Sequence, residues 1–158
     1  MSIAALPDAD LRLVGVPHPL PVLDCSEVNF QRTGLPEKDR QRPRQARRIV
    51  MACMGVWGLR DLADDTALLL SELVSNAVVH GAGEAVRVRL FLTEEYVCLE
   101  VRGGGSGVPR VQAADHLDEN GRGLFLVDAM ADAWGVTEKG ACVWCVVGWD
   151  AQQAEGST

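Results

Sequence analysis

The chain has 158 residues, 47% of them hydrophobic and 5% aromatic, with a net charge of −7. That length fits one domain with a real core, and the negative balance argues against direct binding of nucleic acid by phosphate neutralisation. No apolar run approaches the roughly 18–20 residues that span a bilayer, and the N-terminus lacks the basic start and apolar run of a secretory leader.

In chain order, residues 1–25 read as an irregular N-terminal extension, broken by Pro7, Pro17, Pro19 and Pro21. A short first strand is predicted over Val28–Arg32, and Gly34 and Pro36 then break the chain. Between Arg32 and Arg48 the basic residues Arg32, Lys38, Arg40, Arg42, Arg44, Arg47 and Arg48 face only Glu37 and Asp39. Such a cluster is either a solvated helix face with its approach loop or a docking surface for an acidic partner.

From Pro43 to Trp57 the apolar residues Ala46, Ile49, Val50, Cys53, Met54 and Trp57 recur at helical spacing, and Gly58 ends the helix. The next helix takes Asp61 as its N-cap, with Asp64 at the capping-box position, and runs through Thr66 to His80. Its stripe of Leu70, Leu73, Val74, Ala77 and Val78 should face the core, and Gly81 is its natural stop. His80, beside that glycine, reads as a structural or pocket-edge residue.

Two strands follow, AVRVRLFL and YVCLEVR, joined at Thr93-Glu94-Glu95. Each alternates apolar with polar or charged residues, which suits an antiparallel sheet covered on one side. Arg87, Arg89, Glu100 and Arg102 are placed to pair across the strands. The loop from Gly103 to Asn120 leads to a helix at Gly123–Ala131, and a last hairpin pairs Trp134–Glu138 with Ala141–Trp149. Trp134 and Trp144 are expected to fill the core or cover a sheet face. The tail, residues 151–158, reads as disordered, which leaves residues 26–150 as the domain.

The cysteines are Cys25, Cys53, Cys98, Cys142 and Cys145. Cys142 and Cys145 have CxxC spacing but sit on a strand, where residues three apart point to opposite faces. Reduced thiols in a cytoplasmic protein are the simpler account than a redox or zinc site. The element order as a whole describes an α+β sandwich and excludes the alternating units of a doubly wound fold.

Chemistry gathers in three places. Glu72 and Asn76 in SELVSNAVVHG are four apart and share one helix face. Asn76 can hold a magnesium ion there while Glu72 orients or deprotonates an attacking group, although two polar residues on a solvated face would look the same. Gly105 and Gly107 follow a strand, where glycine lets the backbone approach a ring or a phosphate. Gly121 and Gly123 open the next helix, whose free N–H groups suit an anion. Neither glycine pair fits a standard fingerprint, and each alone is common at turns.

The order of these pieces is more specific. The stretches LLLSELVSNAVVHG, VCLEVRGGGSGVP and ENGRGLFLVDAMADAWGV, followed by VWCVV, resemble the GHKL ATPase superfamily of histidine kinases, gyrase B subunits and related chaperones. More closely, they look like the small bacterial anti-sigma regulatory factors, which are serine-protein kinases. The resemblance spans about Arg44 to Val147 and implies a Bergerat-type two-layer α/β sandwich, its mostly antiparallel sheet covered by helices on one face.

By this resemblance Glu72 is the general base and Asn76 the magnesium ligand. Gly105 and Gly107 belong to the adenine-side loop, Val108 to Asn120 to the ATP lid, and Gly121, Arg122, Gly123 and Leu124 to the phosphate-side box. It also implies a homodimer, ATP and Mg²⁺ as cofactors, and a sigma factor or an anti-sigma antagonist as partner, with Arg44, Arg47 and Arg48 as contacts. One position departs from the pattern. The family's adenine-reading aspartate falls at Gly103, so the loop keeps the family's shape without its acid. Losing a charge-assisted hydrogen bond costs about 1.5–3 kcal/mol, or roughly 10- to 150-fold in affinity. The expectation is therefore an anti-sigma-type regulator with weakened or vestigial nucleotide binding. An active protein-serine kinase is the alternative, and a binding module with a different ligand is a third reading.

Overall fold

A computed structural model of the chain describes residues 22–80, 85–103, 119–137 and 142–149, with side chains except at 80, 119–123 and 137. Its elements are β1 (Asp24–Gln31), α1 (Pro36–Asp39), α2 (Arg42–Val56), a 3-10 turn (Arg60–Leu62), α3 (Ala63–His80), β2 (Ala85–Leu92), β3 (Tyr96–Arg102), α4 (Glu119–Met130), β4 (Ala133–Thr137) and β5 (Cys142–Gly148). The strands form one sheet in the order β1-β2-β3-β5-β4, and every pairing is antiparallel. The fold is α+β, as the sequence implies, with the helices on one face of the sheet.

Period-2 patterning sets that face. Val86, Val88, Leu90 and Leu92 of β2, Val97, Leu99 and Val101 of β3, and Val143, Cys145 and Val147 of β5 all enter the main core. From the helices come Ala46, Val50 and Met54 of α2, Leu70, Leu73 and Val74 of α3, and Val127 of α4. Burying a side chain of this size contributes about 1.5–3 kcal/mol. α3 lies between α2 and α4 and touches β2 and β3, so the polar line on its flank is held by the best-packed helix of the molecule.

The helix ends follow from the same sequence signals, with one correction. α2 has Pro43 in its first turn, where the missing N–H costs nothing. Gly58 turns the chain at φ +73°, Leu59 N–H donates to the Met54 carbonyl at 2.8 Å, and Gly58 N–H donates to Gly55 at 3.3 Å. Only glycine adopts that left-handed turn without strain. The predicted N-cap at Asp61 is wrong. The chain leaves Gly58 as a 3-10 turn over Arg60–Leu62 and enters α3 directly at Ala63, so Asp61 sits within the turn. Asp64 and Asp65 fall in the first turn of α3, where the helix dipole favours negative charge.

Other differences are of extent. β1 starts at Asp24, four residues before the predicted strand, because its pairing with β2 runs from Asp24–Leu92 to Gln31–Ala85. The four-residue α1 forms where Gly34 and Pro36 suggested only a break. The outer sheet face is not simply charged and solvated: Arg89 is 5% and Glu100 2% exposed, beside a second cluster of Phe91, Cys98, Trp144 and Val146. Trp134 packs against the main core, as expected of a core or face-covering residue. The extension at residues 1–21, the loop residues 104–118 and the tail at 151–158 lie outside the described residues.

Candidate functional site

Glu72 and Asn76 project from the middle and C-terminal half of α3, and both are half-buried. The helical repeat extends their line to Asp65, Leu68 and Val79, all partly or fully exposed. α3 thus buries one stripe in the core and keeps the Glu72–Asn76 flank half-buried. Among the described residues, no group of three or more His, Cys, Asp or Glu side chains is arranged to hold a metal. A magnesium ion on this flank would take Asn76 and draw its remaining ligands from water and phosphate oxygens, a usual arrangement for Mg²⁺.

Gly103 closes β3 directly against this helix. A Cβ built on Gly103 would stand 2.9 Å from the Cβ of Ala77, 3.3 Å from its Cα and 3.4 Å from its carbonyl oxygen. Ala77 is the neighbour of Asn76, so the end of β3 and the Asn76 turn of α3 meet here. The close approach depends on glycine. An aspartate in its place would need α3 or the strand end to move.

A third residue joins them. Arg32, just beyond β1, donates to the carbonyls of Ala77 (2.6 Å), Val78 (2.9 Å) and Gly103 (3.2 Å). The first two are among the last carbonyls of α3, which have no partner within the helix and lie at its negative end. Arg32 therefore caps α3 and ties three elements at one point. In the sequence it was only one of a run of basic residues; nothing local marks a residue that bonds across 45 to 71 positions.

The glycines of the phosphate-side box sit differently from expectation. α4 begins at Glu119, so Gly121 lies in its first turn and Gly123 in its second, rather than at the helix start. The Arg122 side chain is not described. Leu124 is 3% exposed and seats the helix, so its side chain does not line an open pocket. The Trp134 indole donates to Asp128 at 2.8 Å and fixes α4 to β4. Gly105 and Gly107 lie outside the described residues, as does most of the predicted lid, and the side chain of His80 is likewise not described.

The basic run separates into two parts. Arg42 bonds Gln45 and the Gln31 carbonyl and stacks over Phe30, so it is structural, as Arg32 is. Arg40, Arg44, Arg47 and Arg48 instead line an open groove of about 560 Å³ with Pro43, Met51 and Ser71. Arg44, Arg47 and Arg48 are exposed, and Met51, 43% exposed, gives the groove an apolar element. On the outer sheet face the other charges do pair: Glu100 holds Arg89 at 3.2 Å and Arg102 at 3.5 Å, and Glu27 holds Arg87 at 3.3 Å.

A helix with a carboxylate and a carboxamide on one flank, a strand ending at Gly103 against it and a glycine-bearing helix alongside describe an ATPase-type α+β domain. The family model for the histidine kinase-like ATPase domain matches residues 35–147, and the chain belongs to that family. ATP and Mg²⁺ are the ligands this family binds in general. No curated protein matches the chain. No described helix is long and apolar enough to cross a membrane.

Proposed function

We propose that this chain is a regulatory protein of the anti-sigma type that acts by binding another protein, with a nucleotide pocket weakened at its base end. The observation that carries the weakened pocket is Gly103. By the resemblance it stands where the family pattern puts an acid, and it packs so closely on Ala77 that a side chain there would force α3 or the strand end to shift. The regulatory role rests on the resemblance and on the arginine-lined groove of α2, which suits an acidic surface on a sigma factor or an antagonist protein. Arg44, Arg47 and Arg48 are the contacts assigned to that partner, and the resemblance adds a homodimer.

Titration calorimetry with magnesium-ATP tests the pocket. The expected result is a dissociation constant in the high micromolar range or weaker, because a lost charge-assisted hydrogen bond costs about 1.5–3 kcal/mol. Low-micromolar binding overturns it. Binding to purified sigma factors and antagonist proteins tests the regulatory role, and the reading fails if none associates while the protein is folded.

A second reading has its own support. Glu72 and Asn76 share the half-buried flank of α3, where a base and a magnesium ligand would stand in an active protein-serine kinase. Transfer of labelled phosphate from ATP to an antagonist protein, abolished by Glu72→Gln, would establish that activity and displace the first reading.

A further inference from the structure

Charge is sorted along the exposed side of the α2–α3 hairpin. α2 opens with Arg44, Arg47 and Arg48, all exposed, which line the groove with Arg40, Met51 and Ser71. From Ile49 to Leu59 the chain then carries no charge. The outward residues of that stretch are Met51, Ala52 and Val56, the last of them 82% exposed. A Cβ built on Gly55 would meet nothing within 4 Å, so this part of the helix is uncovered. The turn into α3 brings Asp61, Asp64 and Asp65, all exposed, with only Arg60 of opposite sign.

Helical geometry sets these groups on one surface. Ser71 borders the groove beside the arginines, and Asp64 stands about two turns before it on the same line of α3. The basic end and the acidic end therefore share a surface, with the apolar stretch between them. From Arg44 to Val56 is about 18 Å at 1.5 Å per residue, well beyond the screening length of about 8 Å at physiological salt. Neither end can neutralise the other within one molecule. Among the described residues, none of Arg44, Arg47, Arg48, Asp61 and Asp64 forms an ion pair.

This order of charge selects an occupant. A partner of one sign leaves one end unmatched. A second copy of this chain, turned about a two-fold axis at the apolar stretch, matches both, because an isologous contact sets each basic end against the other copy's acidic end. Exposed ion pairs contribute little each, so Met51, Ala52 and Val56 supply the contact that sheds water while the charges fix its register.

We propose that two copies of this chain pair in antiparallel register through the exposed side of α2 and the start of α3, the Arg44 and Arg48 end of each facing the Asp61 and Asp64 end of the other. The pairing covers the arginine groove, so a second copy and an acidic partner compete for it. The pairing itself rests only on this chain's own surface, and the competition rests on the reading given under the proposed function.

Sedimentation equilibrium of the full chain and of two charge-swapped variants tests this. The parent should show a monomer–dimer equilibrium that weakens as salt is raised. Arg44→Glu/Arg48→Glu and Asp61→Lys/Asp64→Lys should each keep the parent's fold, since all four side chains are exposed, and should each weaken self-association at least tenfold by setting like charges together. Mixed one to one, the two variants should regain dimers containing one copy of each, which substitutions that merely damaged the fold could not produce. A parent that stays monomeric into the high micromolar range overturns the pairing. So does a dimer that either variant leaves intact, because it lies on another face, and so does a mixture that fails to associate. These measurements contain only this chain, so their failure leaves the anti-sigma reading standing, and failure of that reading against purified partners leaves the dimer standing.

Discussion

Ala77 and Gly103 meet at a separation no ordinary side chain tolerates. A methyl at position 103 would be 2.9 Å from the Ala77 Cβ, against a usual carbon–carbon contact of about 3.5–4.0 Å. Gly103→Ala should therefore destabilise the protein by about 1–3 kcal/mol, the usual cost of overpacking, seen as a lower urea midpoint at unchanged slope. Gly103→Asp should cost at least as much and fail to restore nucleotide binding alone. Adding Ala77→Gly removes the obstructing methyl at a helix cost of about 1 kcal/mol, and this double variant should bind magnesium-ATP at least tenfold more tightly than the parent. A neutral Gly103→Ala result would show that the approach does not exclude the acid. Arg32 gives a second test at the same junction. Arg32→Ala removes three bonds to carbonyls and should lower stability by about 1.5–3 kcal/mol, and Arg32→Lys should recover only part of it, because one ammonium cannot match the guanidinium fork.

At the scale of elements, what could be read from the sequence was whatever a short window contains. The helical spacing from Ala46 to Trp57, the stripe from Leu70 to Val78 and the alternation of AVRVRLFL each predicted an element that the structure shows, because each depends on neighbours three, four or two apart. Cys142 and Cys145 diverge as expected, Cys145 entering the main core while Trp144 and Val146 turn outward. The burial of Cys98 and Glu100 was not legible, because alternation tells which side chains face outward but not what lies over them. Nor was the Gly103–Ala77 contact, which joins positions far apart in the chain. Burial at Cys98 also has a titratable consequence: it pushes the thiol from its ordinary 9.0 up to about 12. The folded state holds that proton more tightly than the unfolded chain. The stabilisation is thus complete below about pH 9 and is lost as pH rises toward 12. Urea midpoints at about pH 8 and about pH 10 should fall more for the parent than for Cys98→Ala, and equal losses would mean that Cys98 is not held in a dry site.

At the scale of the whole molecule, charge is divided against itself. The chain carries −7 overall, yet Arg40, Arg44, Arg47 and Arg48 gather along one groove of α2. A net negative body repels an acidic partner at long range, and a local positive groove attracts and orients it on close approach, so the association rate should depend on ionic strength. The arginines of this groove are mostly exposed, unlike Arg32 and Arg42, which are tied into the fold. Charge reversal at Arg44, Arg47 and Arg48 should consequently leave the thermal midpoint nearly unchanged, because exposed charges contribute little to stability. The same triple variant should lose at least tenfold in affinity for an acidic partner, mostly through the association rate, and should lose most of the salt dependence with it. Stopped-flow association at several salt concentrations separates these outcomes. If the variant binds as fast as the parent and with the same salt slope, the partner meets another face, and the arginine groove is the solvated helix surface that its sequence also allowed.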